Sequence, residues 1–520
     1  MMSDLSTSPK VLRDVMRRSA ERYPDRKAII ANDVTLTYEQ LDRRSKQVAS
    51  FLRTLSLERG DRIAFLSRNR VDYFELLFGG AQLGVVMVPV NWRLAPSEIV
   101  GVLTDAQPKA IFAEESLLSE LNIGNSLEGF MVILLGEDHD SWTRLIEVFP
   151  ESELDVSVEG NDQMWQLYTS GTTGAPKGVM LSNNNFFSMA EGLADAWHFE
   201  PGCIVYVPYP VFHAVGTAWV VLTLLRGGTV IFRRGFDEED FLRSVEEHGV
   251  SLTMMVPAVL NMVLNHKSIN RFDLGSLKHI VYGAAPITQA VLADAIRKLP
   301  NCQFTHAYGL TEATGTVTTM QWHEHIPGTE RMNSCGKPFP WVTMRIVDPN
   351  LMVDVGPRVA GEVWVKSPTV MHGYFGRPDE TAEAIVEDCW LRTGDAGFVD
   401  EDGYLYLTDR VKDMVISGGE NIYPAEVENV INDFPGVKEV AVIGIPHEIW
   451  GESVLAIIVR HSGVEIDPLE VIAFCRERLA HYKCPSRVEI RDESLPLNPT
   501  GKVMRRDLKD PYWAGQKRLI

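Results

Sequence analysis

No two cysteines of this sequence stand at CxxC spacing, and the six present (Cys203, Cys302, Cys335, Cys389, Cys475 and Cys484) are scattered. That pattern excludes a zinc ribbon and a dense disulfide scaffold, and reduced thiols in a large chain point to the cytoplasm. Basic residues are in deficit: 50 Lys and Arg against 70 Asp and Glu leave a formal charge of −20. Such a chain repels phosphate backbones, so nucleic acid is not an expected partner. Long apolar runs are missing too. The longest, Ala214–Leu225, is too short for the ~20 residues of a membrane span and reads as a buried helix. The opening residues MMSDLSTSPKVLRDVMRR hold no apolar stretch of the kind a signal peptide needs. No internal repeat or low-complexity run is visible.

What is present is ordinary globular chemistry, 45% apolar and 23% charged, over 520 residues. That length exceeds what one core usually supports, so several subdomains are expected. The chain repeats one theme: an apolar β-rich run, a Gly/Pro/Asn turn, then an amphipathic helix. Residues 61–67 lead into a helix over 72–83, and 85–90 into one opened by Pro96. The run 250–256 is followed by Pro257, well placed to start a helix over 258–265, and 279–282 precedes a helix over 288–298. Such alternation implies mainly parallel sheets covered by helices. After about residue 340 the strands shorten (344–347, 361–365, 404–407) between Gly and Asp-Gly turns, suggesting a small antiparallel sheet or barrel. A compact α/β module follows, with helices over 424–434 and 468–479 and strands over 437–443 and 454–459. The expected division is a large domain, 1–409, and a small one, 410–520, with the boundary near Thr408–Val411.

An acidic chain that binds a polyphosphate must supply positive charge locally. The segment Tyr168-Thr169-Ser170-Gly171-Thr172-Thr173-Gly174-Ala175-Pro176-Lys177-Gly178 does so. Hydroxyls, accessible backbone N–H groups at the glycines and one Lys are what phosphate oxygens need. It is not a P-loop, because Pro176 and Gly178 stand where Gly and Ser or Thr are required. Two other catalytic patterns fail as well. His447-Glu448-Ile449-Trp450-Gly451 lacks the second His of a zinc protease, and Ser170 has Tyr168 where a nucleophile elbow needs Gly.

This segment and others downstream, from about Tyr38 to Arg506, resemble the adenylate-forming superfamily of acyl-CoA synthetases, aryl-CoA ligases, luciferases and peptide-synthetase adenylation domains. The resemblance implies an α/β fold: a large N-terminal AMP-binding domain of αβα layers plus a small β-barrel, and a small mobile α+β domain. It implies that Thr169 to Lys177 wrap the β- and γ-phosphates of ATP. A lone His by an apolar helix is more often a core residue. The resemblance gives Phe212-His213 a role instead, beside the acyl carboxylate and the pantetheine tunnel. It lays Gly283-Ala284-Ala285-Pro286 along the adenine, where a backbone poor in side chains leaves room for a flat base. It puts Tyr308, followed by Gly309, against the adenine, Thr311 near the α-phosphate and Glu312 on Mg²⁺. One carboxylate plus phosphate oxygens and waters is how Mg²⁺ is usually held.

The same resemblance has Asp395, in Thr393-Gly394-Asp395, bridge the ribose hydroxyls, with Arg410 approaching the same ribose or the phosphate. Gly418 and Gly419 permit close backbone approach to a thin substrate, which the coenzyme A tunnel of the family supplies. Lys412 is the implied pivot of the small domain. Lys502, in Pro499-Thr500-Gly501-Lys502, is implied to contact both the acid carboxylate and the α-phosphate. A mobile ammonium there offsets the repulsion of two anions.

The expected activity is ATP-dependent ligation of a hydrophobic carboxylic acid, fatty or aryl, to coenzyme A through an acyl-adenylate with Mg²⁺. Phe212, Val215, Gly216, Trp219 and Val317 flank the motifs and could line an apolar pocket, with Met254 and Met255 nearby. Trp219 either closes its floor or packs in the core. An acyl-AMP ligase that loads a carrier protein is the nearest rival. A non-catalytic nucleotide-binding homologue is the rival from another class. A luciferase-like oxygenase would use the same residues. A peptide-synthetase adenylation domain usually has an Asp for the substrate amine and a following carrier domain, neither of which is seen after Tyr209 or after Lys502. The oligomeric state is not readable from the sequence, and a homodimer is one candidate.

Overall fold

The structure, a computed structural model, describes residues 9–31, 34–152, 154–169, 176–284, 287, 289–326, 328–410, 413–417, 420–422, 424–447, 451–479, 481–497 and 503–514. The chain forms two compact units: Met1–Met344 with Val365–Leu391, and Arg345–Trp364 with Arg392–Ile520.

The first unit contains two large sheets with helices between their strands. One has nine strands, in the order Lys337–Pro338, Thr318–Met320, Gln303–Tyr308, His279–Gly283, Leu252–Met255, Ile204–Val207, Thr229–Phe232, Lys27–Ile30, Thr35–Thr37. Its central pairs are parallel, and both edges turn antiparallel. The other has seven strands, in the order Gly373–Tyr374, Lys177–Ser182, Gln163–Thr169, Val86–Pro89, Arg62–Leu66, Ala110–Glu114, Val132–Leu135. Its parallel half runs from Gln163–Thr169 to Val132–Leu135, and its antiparallel half is a hairpin plus one short strand. The alternation of the sequence accounts for the parallel cores. At the Lys27–Ile30/Thr35–Thr37 edge and in the Gln163–Thr169/Lys177–Ser182 hairpin a short connection returns the chain antiparallel, because parallel pairing needs a long crossover.

The helices follow their local signals. Asp72–Leu83 ends at Gly84, whose left-handed φ of 69° suits a residue without Cβ. Pro257 opens Pro257–Leu264 and Pro96 opens Pro96–Ala106. Ala214–Leu225 is buried along most of its length, as its uniformly apolar sequence requires. Tyr206, Ile231, Phe241, Ile280, Tyr282 and Leu292 join the nine-stranded sheet to its helices in one core. Each such side chain contributes roughly 1.5–3 kcal/mol on burial.

In the second unit, residues 395–399 pair antiparallel with Leu405–Arg410. A five-stranded sheet is built around the hairpin Val437–His447 and Gly451–Arg460, with Arg487–Arg491 added in parallel. Helices Pro424–Asn432 and Pro468–Arg476 supply Val427, Ile431, Val471 and Cys475 to its core. No helix among the described residues is long and apolar enough to cross a membrane.

Candidate active site

The Thr- and Gly-rich segment is the loop of a β-hairpin. Strands Gln163–Thr169 and Lys177–Ser182 pair antiparallel, with Thr169 and Lys177 as Cα partners at the mouth. The two ends of the expected phosphate loop therefore stand side by side. Ser170, Gly171, Thr172, Thr173 and Gly174, between them, lie outside the described residues.

Glu312 shares this site. Strand Gln303–Tyr308 ends at the buried Tyr308, whose carbonyl accepts the Val317 N–H at 2.8 Å as the chain doubles back. A Cβ on Gly309 would run into the Gly315 carbonyl, so only glycine lets the loop close this tightly. Within the loop, Thr311–Ala313 forms one 3₁₀ turn, and the Thr314 hydroxyl donates to the Thr369 carbonyl at 2.6 Å. Glu312 Oε1 then accepts hydrogen bonds from the Tyr374 hydroxyl at 3.1 Å and the Thr169 hydroxyl at 3.4 Å. The Lys177 ammonium lies 5.0 Å from the centre of the same Tyr374 ring.

Both contacts of the Glu312 carboxylate fall on Oε1; among the described residues Oε2 accepts none and no Lys or Arg pairs with it. A half-buried carboxylate with one oxygen open and no cation on it among the described residues fits Mg²⁺. That ion commonly takes one or two carboxylates and completes its shell with phosphate and water. Among the described residues no cluster of three His, Cys, Asp or Glu could hold a metal by itself. An ion at Glu312 would therefore depend on nucleotide oxygens.

The His213 turn reaches the same loop: a Cβ on Gly315 would lie 4.0 Å from the Ala214 side chain. This turn is held from afar. Asn69 donates to the Tyr209 carbonyl at 2.8 Å and accepts the Val211 N–H at 3.1 Å. The Tyr209 hydroxyl donates to the Met254 carbonyl, and Thr217 donates to the Val211 carbonyl at 3.1 Å. A Cβ on Gly216 would collide with the Pro210 carbonyl. The Phe212 ring is buried and packs on the His213 ring at 4.7 Å. His213 sits in a recess crowded by protein but open to solvent on its outer face. Desolvation, and secondarily the Arg93 charge, push its pKa down. The open face limits the size of that depression but not its direction, so the imidazole is neutral at pH 7. It makes no capping bond to the helix that it precedes, which leaves it available to a ligand.

Gly283 ends its strand in register with Ala307, one residue before Tyr308, and a Cβ there would strike the Ala307 carbonyl. Ala284 adopts a left-handed φ of 64°, a conformation that costs a residue with a Cβ roughly 1–2 kcal/mol. Ala285 and Pro286 lie outside the described residues. Of the remaining pocket candidates, Val317 is buried and Val215 is half-buried. Trp219 is only 2% exposed, stacked on Trp197 at 5.9 Å and tilted against Phe199 at 4.9 Å.

Asp395 and Arg410 belong to the second unit, where they are Cα partners on adjacent strands. Asp395 is buried, and its N–H donates to the Thr393 hydroxyl at 3.1 Å. The preceding Gly394 (φ 70°) donates its N–H to Glu362 at 3.2 Å. Lys412, Gly418, Gly419 and Lys502 lie outside the described residues. Sequence reasoning missed Tyr374 and Asn69. Neither lies in a segment with a phosphate-binding or catalytic pattern, and each acts across more than 60 residues of chain.

Comparison with known proteins places nearly the whole chain in one family. The family model for AMP-binding enzymes matches residues 16–375, and that for the AMP-binding enzyme C-terminal domain matches 426–502. The fatty acid–[acyl-carrier-protein] ligase ScoC of Streptomyces coeruleorubidus is 37% identical over 96% of both chains. The feruloyl-CoA synthase of an Amycolatopsis species is 36% identical over 95% of this chain and 97% of its own. Among solved structures, ATP-bound MatB from Rhodopseudomonas palustris superposes with a TM-score of 0.86 at 30% identity, covering 97% of this chain and all (100%) of that one. Two matched family models spanning most of the sequence show that the chain belongs to the AMP-binding enzyme family.

Proposed function

We propose that this AMP-forming acid–CoA ligase activates a hydrophobic monocarboxylic acid, fatty or aryl, and passes the acyl group to coenzyme A. The observation that carries this reading is the Thr169–Lys177 hairpin mouth beside Glu312, with the neutral His213 turn against the same loop. In the first step a carboxylate oxygen attacks the α-phosphorus of ATP, and the bond to the β-phosphate oxygen breaks to release pyrophosphate. Thr169, Lys177 and the hydroxyls of 170–173 bind the departing phosphates, and Thr311 lies near the α-phosphate. Glu312 would hold Mg²⁺, which when bound offsets charge on the leaving pyrophosphate. In the second step the thiol sulfur attacks the acyl carbon, the acyl–phosphate oxygen bond breaks, and AMP departs.

Gly283 to Pro286 and Tyr308 border the adenine, and Asp395 with Arg410 takes the ribose. The register pairing of those two residues supports a shared target. Phe212, Val215, Gly216, Trp219 and Val317 line the acid pocket. Residues 410–520 act as the mobile domain, turning about Lys412. That motion brings Lys502 in for adenylation and Gly418-Gly419 in for the thiol. The protein works in the cytoplasm and forms a homodimer, which light scattering of the purified protein tests.

One observation favours a second acceptor: ScoC is named for ligation to an acyl-carrier protein. A panel of fatty and aryl acids assayed with ATP, Mg²⁺ and either coenzyme A or a phosphopantetheinylated carrier tests both. Acid-dependent pyrophosphate release with a CoA thioester as product is expected. Acylation of the carrier alone replaces the acceptor in this reading, and no acid-dependent pyrophosphate release overturns it.

A further inference from the structure

The segment Met371–Arg377 straps the phosphate hairpin to the Glu312 loop. At one end the Met371 N–H donates to the Glu312 carbonyl at 2.8 Å. In the middle, Gly373 and Tyr374 pair with Met180 and Val179 of the hairpin's outgoing strand. Flanking bonds run from His372 N–H to the Met180 carbonyl at 3.0 Å and from Phe375 N–H to the Gly178 carbonyl at 2.8 Å. At the far end Arg377 donates to Asp105 at 2.8 Å, and the other oxygen of Asp105 accepts the Tyr168 hydroxyl at 2.7 Å. The strap is therefore fixed at both ends and along its length. Its backbone sets where Tyr374 stands, helped by the Thr381 hydroxyl, which accepts the Tyr374 N–H at 2.9 Å.

From that position Tyr374 meets both charges of the polyphosphate site. Its hydroxyl donates to Glu312 Oε1 at 3.1 Å, while its ring faces the Lys177 ammonium at 5.0 Å. A carboxylate and an ammonium that both contact one side chain in a half-buried site attract one another, and a direct ion pair would occupy both. Glu312 makes no ion pair among the described residues, and Lys177 rests on the ring. We propose that Tyr374 is a positioning residue for nucleotide activation, holding Glu312 by Oε1 so that Oε2 stays open to Mg²⁺ and keeping Lys177 apart from it on its ring face. The hydroxyl acts on the metal side and the ring on the phosphate side. The inference rests on Glu312 being the magnesium carboxylate.

Two substitutions separate the two contacts. Tyr374→Phe keeps the ring and removes the hydroxyl that donates to Glu312; Tyr374→Leu removes both. The readouts are Mn²⁺ binding to the enzyme–ATP complex by electron paramagnetic resonance, ATP affinity by calorimetry with and without Mg²⁺, and a thermal melt. Losing a hydrogen bond to a charged group should weaken Mn²⁺ binding in Tyr374→Phe by about tenfold. ATP affinity measured without metal should stay within about twofold of the native protein, since the ring–ammonium contact remains. Tyr374→Leu should in addition weaken metal-free ATP binding. Native Mn²⁺ affinity in a folded Tyr374→Phe protein, while Glu312→Gln abolishes it, overturns the role of Tyr374 and leaves Glu312 in place. Native Mn²⁺ affinity in Glu312→Gln itself removes the metal reading, and this inference with it.

Discussion

His139 Nδ1 lies 2.5 Å from Asp72 Oδ1, in a buried cluster whose other charged members are Glu75, Arg44 and Arg70. Glu75 accepts from Arg44 at 2.7 Å and from the Trp142 indole at 2.6 Å, and Arg70 donates to Asp72 at 2.9 Å. Burial alone would lower the His139 pKa. The bonds to Asp72 and Glu75 outweigh it and push the pKa up to about 9, even though Arg44 also approaches the ring at 2.9 Å. A folded pKa above the unfolded value of about 6.5 stabilises the native state fully below that pH. The contribution fades as pH rises through about 9. The melting temperature is expected to fall between pH 7 and 10, with a smaller fall in His139→Gln. Equal slopes in the two proteins would assign the pH dependence to other groups.

Glu312→Gln keeps the volume of the side chain and removes its charge. Adenylation should drop by at least about a hundredfold while the melting temperature stays near native, because no cation pairs with the charge among the described residues and Gln can still accept the two hydroxyl bonds. Near-normal turnover at ordinary Mg²⁺ concentrations would sink the metal assignment.

Trp219 distinguishes a pocket floor from a core residue. Its ring is buried against Trp197 and Phe199, so Trp219→Ala should cost about 3–5 kcal/mol of stability. If the ring also closes the acid pocket, the variant should favour longer or bulkier acids in a competition assay. A less stable enzyme with an unchanged order of preference would make it core only.

The two half-reactions test the motion of the small domain. Lys502→Ala should cripple adenylation yet largely spare thioester formation from a supplied acyl-adenylate. Lys412→Pro, which fixes φ near about −65° at the proposed pivot, should trap one orientation and damage one half-reaction far more than the other. Equal losses of both halves in each variant would rule out domain alternation here.

Much of this protein was decided locally. The run 61–67 is readable as a short continuous apolar stretch, the mark of a parallel strand buried on both faces, and the helix 72–83 as a longer apolar stretch buried on nearly every side. Pro257 and Gly84 mark helix ends because their φ preferences belong to single residues. The density of Thr, Ser, Gly and Lys over 169–177 suggests the proposed phosphate loop for the same reason: phosphate oxygens are bound by contiguous donors. Only the tertiary structure shows that Thr169 and Lys177 meet across a hairpin mouth, that Tyr374 stands between Lys177 and Glu312, and that Asn69 holds a turn 140 residues away. These are single hydrogen bonds and ring contacts between distant segments. They leave no periodicity and no motif, because their geometry exists only once two sheets and their loops have closed on one another.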